Sequence, residues 1–186
     1  LVIAHIFGFV DDDNKRVTRT CYVSVARKNG KSSLAAGIAL YLLTADGEGG
    51  AEVYSAATKR DQARIVYEQA SEMVKVSHSL ARAIEVRRSS LSIASTFSKF
   101  QALASDSHRL DGLNPSGLVL DELHSWADRN LWDVLATATG SRQQPLTFAI
   151  TTAGFDKASV CWEQEDYSRK VLDEVIDDPS WFTFIA

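Results

Sequence analysis

Cysteine is nearly absent from this chain: two residues among 186, Cys21 and Cys161, 140 positions apart. That excludes a disulfide scaffold and a cysteine-built metal knuckle, which need more thiols at short spacing. Two buried free thiols are expected instead. No apolar run approaches the roughly 18 to 20 residues of a bilayer-crossing helix. The N-terminus lacks the basic stretch and apolar core of a secretory leader, so the chain reads as cytosolic. Internal repeats and low-complexity linkers are missing too. What is present is a 45% hydrophobic composition, enough apolar material for one sizeable core and one globular domain.

The first chemistry-bearing segment is Ala26-Arg-Lys-Asn-Gly-Lys-Ser32. It lies between the strand-like run Thr20-Cys-Tyr-Val-Ser-Val25 and a helix-like run from Leu34 to Leu43. Strand, tight Gly-Lys-Ser turn and helix form the layout that cradles a nucleoside triphosphate, with loop and helix N–H groups aimed at the phosphates. Lys31 would reach the β- and γ-oxygens and the Ser32 hydroxyl would ligate Mg²⁺. Arg27, Lys28, Asn29, Gly30 and Ser33 complete the candidate cradle. The general pattern has glycine five places before Gly30, and Val25 stands there.

Gly117-Leu-Val-Leu-Asp-Glu122 reads as a buried parallel strand delivering two acids to its C-terminal edge, where ligands of open α/β sheets collect. Asp121 would hold Mg²⁺, and Glu122 would polarise an attacking water. A surface turn carrying two acids is the competing reading. Leu146-Thr-Phe-Ala-Ile-Thr-Thr-Ala-Gly154 is a further strand-like run; Thr152 at its tip either senses a γ-phosphate or simply forms the strand exit.

Together these segments resemble the N-terminal ATPase domain of the large terminase subunit of tailed bacteriophages. Ala51-Glu-Val-Tyr-Ser-Ala-Ala-Thr58 with Gln62-Ala63, and Leu110-Asp-Gly-Leu-Asn-Pro115, also carry the resemblance, which covers nearly the whole chain. In that family the first loop glycine is commonly absent and an arginine lies inside the loop, as Val25 and Arg27 do here. The resemblance implies an ASCE-type P-loop NTPase of the α/β class, with a mainly parallel central sheet flanked by helices on both faces. It places the strand leading to Thr152 between the phosphate-loop strand and the Asp121 strand. It implies ATP and Mg²⁺ as cofactors, and a motor that packages double-stranded DNA into a procapsid. The implied partners are that DNA, a portal protein, a small terminase subunit and further copies in a ring, with no membrane, in the host cytoplasm. Arg27 takes a coupling role by resemblance. Arg109 corresponds in position to the arginine some terminases insert into a neighbouring subunit's site, where it would stabilise charge on the transferring phosphoryl group; a surface arginine is its alternative. The chain then spans one ATPase domain, 1–186, cut at both ends, with the nuclease domain and its acidic metal cluster elsewhere. Two rival readings stand beside the motor: an ATP-binding assembly switch with little turnover, and a helicase-like ATPase suggested by Asp121-Glu-Leu-His124.

The net charge of −4 conceals an asymmetry. Residues 59–109 carry nine basic and five acidic side chains, and residues 110–186 carry five basic and thirteen acidic. Lys59, Arg60, Arg64, Arg82, Arg87, Arg88 and Lys99 are candidates for a DNA backbone, against a solvated surface. Ala63, Val66, Tyr67, Ala70, Met73 and Val74 predict an amphipathic helix over 59–76. Leu131, Val134, Leu135 and Ala138 predict another. Val171, Leu172, Val175 and Ile176 predict a last one, stopped before Pro179. Residues 84–86, 91–94 and 100–104 suggest a hairpin or small sheet insertion. Asp11-Asp-Asp-Asn14 reads as a polar turn, and His124 as a local hydrogen-bonding residue.

Overall fold

Four runs that alternate little between apolar and polar become the central strands of the sheet, because both of its faces are covered. The computed structural model describes residues 1–58, 60–104, 112–126, 129–154 and 156–186. In chain order it has α1 (Val2–Gly8), β1 (Thr20–Ser24), α2 (Lys31–Thr44), β2 (Glu52–Ala57), α3 (Arg60–Val76) and α4 (His78–Ala83). Then come β3 (Glu85–Val86), β4 (Ser90–Ile93), β5 (Ser98–Ala104) and β6 (Gly117–Asp121). A 3₁₀ turn (Leu123–Ser125), α5 (Asn130–Ala138), β7 (Leu146–Thr151), α6 (Val160–Leu172) and β8 (Trp181–Ile185) complete it.

The strands form one eight-stranded sheet in the order β3-β4-β5-β2-β6-β7-β1-β8. Pairing is parallel from β5 through β8 and antiparallel only at β3/β4 and β4/β5. β7 therefore lies between β6 and β1, the order that the family resemblance implies. Successive strand residues point to opposite faces. Val23, Val53, Val119, Phe148 and Ile150 pack with α2 and α3 on one face. Tyr22, Tyr54, Leu118, Leu120 and Ala149 pack with α5 and the start of α6 on the other. The fold is an α/β sheet covered on both sides.

Two expectations change, and one strand goes beyond them. Residues 98–104 are not confined to an insertion: β5 forms a hairpin with β4 and also pairs in parallel with β2 along Glu52–Ala57. Its Phe100 sits fully buried in the main core. The terminal apolar run Trp181–Ile185 is a strand, β8, paired with β1. The last helix starts earlier than predicted. Ser159 caps it by accepting from the Trp162 N–H (3.2 Å), and it ends at Leu172, leaving Val175 exposed. Its inward face carries Gln164, Glu165 and Ser168 beside Val160 and Cys161, a polar stripe that hydrophobic periodicity misses.

Two packing details hold the ends of α2 and the strands together. α2 crosses β6 so closely that a Cβ added at Gly117 would sit 2.7 Å from Leu42 Cδ1. Near the bottom edge, Arg16 is buried, pairs with the buried Asp46, and also donates to the Thr18 and Gln144 carbonyls. Both cysteines are buried free thiols. Asp11 to Asn14 form a turn closed by the Asn14 N–H on the Asp11 carbonyl.

Candidate active site

The loop after β1 turns through two left-handed residues, Lys28 (φ 69°) and Gly30 (φ 69°), the latter N-capping α2. Gly30 adopts that conformation without steric penalty, which a side chain would incur. The turn starts α2 at Lys31, so the first free N–H groups of the helix open on the loop. Arg27, Lys28, Asn29 and Gly30 are exposed, Ser32 is half-buried and Lys31 is only 8% exposed.

Lys31 Nζ is buried and makes no hydrogen bond. Its nearest charge is Glu122 Oε1 at 3.6 Å, close enough for attraction and too long for a hydrogen bond. An ammonium held out of water without an acceptor is costly; its geometry fits an anionic ligand.

β6 delivers the two carboxylates differently. Asp121 is 4% exposed, and its Oδ1 accepts the Glu122 N–H at 2.9 Å. Burial, and then the adjacent Glu122 carboxylate, push its carboxyl up to about 6, against the downward pull of that N–H and of Lys31. Glu122 leaves the strand in the left-handed region (φ 53°). That turn swings its side chain away from Asp121 into a cleft of about 420 Å³, lined also by Arg27, Lys28, Lys31, Ser33 and Gln62. Glu122 Oε2 lies 3.2 Å from His124 Nδ1. The same nitrogen lies 3.1 Å from Thr151 Oγ1 and 3.2 Å from Thr152 Oγ1. His124 thus bridges the tips of β6 and β7, as its local hydrogen-bonding reading anticipated. Ser32 and Asp121 offer the oxygen donors that a hard cation such as Mg²⁺ takes, and a carboxyl disfavoured as an anion by burial fits a site that a cation would neutralise.

The family model of the terminase large subunit ATPase domain matches residues 1–170. The chain belongs to that family. The terminase large subunit of Enterobacteria phage HK97 is 29% identical over 153 residues, 80% of this chain and 30% of that protein. Its crystal structure superposes with a TM-score of 0.82 at 25% identity, covering 99% of this chain and 37% of that one. The chain thus spans about a third of the HK97 subunit. The large terminase ATPase domain of Thermus phage P74-26 matches with a TM-score of 0.68 at 20% identity over 98% of this chain and 83% of that one. A large terminase from a thermophilic bacteriophage, in complex with ADP, matches at 0.67 and 12% identity, over 90% of this chain and 40% of that one. The last two comparisons speak for the fold alone.

Within this terminase domain, the phosphate loop and both carboxylates meet at one sheet edge, with Thr152 buried beside them at the tip of β7. Arg109 lies outside the described residues, as do Leu110 and Asp111 of the motif that carried the resemblance. Among the described side chains, three basic residues of the middle segment are paired with acids rather than free. Arg64 pairs with Glu68, Arg87 with Glu85 and Lys99 with Glu52, while Lys59 lies outside the described residues. Arg64 and Arg88 share a separate polar cleft with Asp61 and Tyr67.

Two cleft residues were given no role from sequence: Gln62 and Gln69, both on α3. Gln69 Oε1 accepts from the Ser33 hydroxyl at 2.8 Å, tying α3 to the first turn of α2. Their seven-residue spacing puts them on one helix face, a signal that the stripe from Ala63 to Val74 obscured.

Proposed function

We propose that this domain hydrolyses ATP with Mg²⁺, and that in the whole large subunit hydrolysis drives double-stranded DNA into a procapsid. The observation that carries this reading is the buried, unbonded Lys31 ammonium 3.6 Å from Glu122 at the mouth of the loop. A fixed cation beside a carboxylate offers a phosphate clamp and a base in one place. The loop N–H groups and Lys31 bind the β- and γ-phosphates, and Arg27 and Lys28 add positive charge at the rim. Glu122 accepts a hydrogen bond from the attacking water and draws its proton density away. The water oxygen bonds to the γ-phosphorus as the bond to the bridging oxygen breaks; the electron pair leaves with ADP, and the proton passes to the phosphate product or solvent. Ser32 and Asp121 would hold Mg²⁺, whose charge offsets that developing on the phosphoryl oxygens.

In the same reading Thr152 senses the γ-phosphate and passes its state to His124 and Glu122 through their shared contacts. Arg27 couples nucleotide state to movement, and Arg109 acts in a neighbouring subunit of a ring. A portal protein and a small subunit complete the assembly, which works in the host cytoplasm. The test is ATP turnover by the parent, Lys31→Ala and Glu122→Gln, with and without duplex DNA. Expected is binding without cleavage for Glu122→Gln and loss of binding or turnover for Lys31→Ala, both folded. Turnover by Lys31→Ala at the parental rate would remove the phosphate-loop assignment.

A further inference from the structure

We propose that Gln62 is the second acceptor holding the attacking water, which makes it a catalytic residue of this site. The inference rests on the ATPase reading above and deepens it.

Gln62 is the third residue of α3 and lines the cleft with Lys31, Glu122 and Arg27. Its Oε1 is buried and has no hydrogen-bond partner. Among the described residues, Lys31 Nζ, Asp46 Oδ2 and Gln62 Oε1 are the buried side-chain polar atoms in that condition. Two of the three belong to residues that line one cleft, and they ask for opposite things. The ammonium of Lys31 needs an acceptor, which phosphate oxygens supply. The amide oxygen of Gln62 needs a donor, which ionised phosphate oxygens cannot be. The donor that hydrolysis itself brings is the O–H of water.

A water that attacks phosphorus directs a lone pair at it and must send both O–H bonds elsewhere. Two acceptors are needed to fix that orientation. Glu122 is one. Arg27, Lys28 and Lys31 only donate, and Gln69 Oε1 is already occupied by Ser33. His124 Nδ1 is shared among Glu122, Thr151 and Thr152. Among the side-chain carbonyls and carboxylates that line the cleft, Gln62 Oε1 is the buried one without a partner. Being a neutral amide, it takes no proton; the water's proton leaves by the Glu122 side, and Gln62 contributes orientation. Its backbone is fixed by the first turn of α3, and its neighbour Ala63 is buried, with its carbonyl accepting from Ser55 Oγ at 3.0 Å. The acceptor is thus carried on a helix whose adjoining residue is tied to β2, as orientation requires.

The experiment compares the parent, Gln62→Met and Gln62→Glu in steady-state ATP turnover, with ADP affinity by calorimetry, Mg²⁺ dependence and melting temperature. Methionine keeps length and deletes the acceptor; glutamate keeps acceptor oxygens. Gln62→Met should lower kcat about ten- to a hundredfold, leaving KM, ADP affinity, Mg²⁺ dependence and melting temperature unchanged. Gln62→Glu should keep more of kcat than Gln62→Met and raise KM, because its charge faces the triphosphate. A raised KM at parental kcat for Gln62→Met would make Gln62 a nucleotide contact and overturn the proposal. A shifted Mg²⁺ dependence would assign the oxygen to a metal-bound water and overturn it equally. Unchanged kinetics, or glutamate failing as badly as methionine, would also sink it. Parental turnover by Lys31→Ala would instead fell the ATPase reading, and this one with it.

Discussion

Gly117→Ala tests how tightly the phosphate-loop helix is held to the carboxylate strand. Gly117 opens β6, which ends at Asp121, and it touches α2, which begins at Lys31. A methyl there would lie 2.7 Å from Leu42 Cδ1, 3.3 Å from Leu42 Cβ and 3.4 Å from Val53 Cγ1. Leu42 is fully buried, so it has little room to swing clear, and α2 must lift or β6 must yield. Overpacking of this kind costs about 1 to 3 kcal/mol. Alanine recovers roughly 0.5 to 1 kcal/mol of the entropy penalty of a strand glycine. The net cost, about 0 to 2.5 kcal/mol, corresponds to a melting temperature lower by up to roughly 10 °C at this chain length. Leu42→Ala alone should cost about 2 to 5 kcal/mol by opening a cavity. In the double variant the new methyl occupies part of that cavity, so the combined loss should fall short of the two single losses by about 0.5 to 3 kcal/mol. Denaturant titration of the four proteins measures this directly. Strictly additive losses would refute the contact and, with it, the claim that α2 is wedged against β6 at this point.

Asp121 gives a pH signature. Its folded carboxyl titrates at about 6, above the unfolded value of about 4, so its contribution is fully present below pH 4 and is lost as pH rises through 6. Without metal it should remove up to about 3 kcal/mol between pH 4 and 7; Asp121→Asn should flatten that slope, and Mg²⁺ should oppose the loss, both read by denaturation at each pH. Asp46→Ala should cost about 3 to 5 kcal/mol by stranding the buried Arg16 guanidinium while leaving nucleotide affinity intact; a cost below about 1 kcal/mol in urea titration would mean that water reaches Arg16. For Arg109, mixing Arg109→Ala with Glu122→Gln large subunits should restore some turnover in rings shown to be mixed, because an intact Glu122 then meets an intact Arg109 from the next subunit. No rescue at any ratio would remove the cross-subunit role.

β1, β6 and β7 were legible as sequence because each is a short, nearly continuous apolar run flanked by turn residues, the mark of a strand covered on both faces. α3 was legible from its spaced stripe of Ala63, Val66, Tyr67, Ala70 and Val74. The order of the strands is not a local property. β7 lies between β6 and β1 through pairings between residues more than 25 apart and more than 120 apart, and only resemblance to a family anticipated it. β5 was hidden for the same reason: its hairpin with β4 is local, while its parallel partner β2 lies 47 positions earlier. α6 was misplaced because its buried face is polar. At the site, Lys31, Asp121 and Glu122 stood out by residue type and spacing. Gln62 entered only as part of the family resemblance, without a role, since what marks it is an oxygen left unbonded by tertiary packing.

The strand order also sets a scale. Neighbouring strands lie about 4.8 Å apart, so the tips of β1 and β6, with β7 between them, stand roughly 10 Å apart. That gap is a ruler cut in backbone hydrogen bonds, with the Lys31 loop at one end, Asp121 and Glu122 at the other, and Thr152 at the middle mark. Stretching it would break two parallel ladders at once. Displacements that accompany a chemical cycle should therefore begin in what projects from the ruler: the exposed loop at Arg27 to Gly30, the left-handed hinge at Glu122 and the segment beyond Thr152.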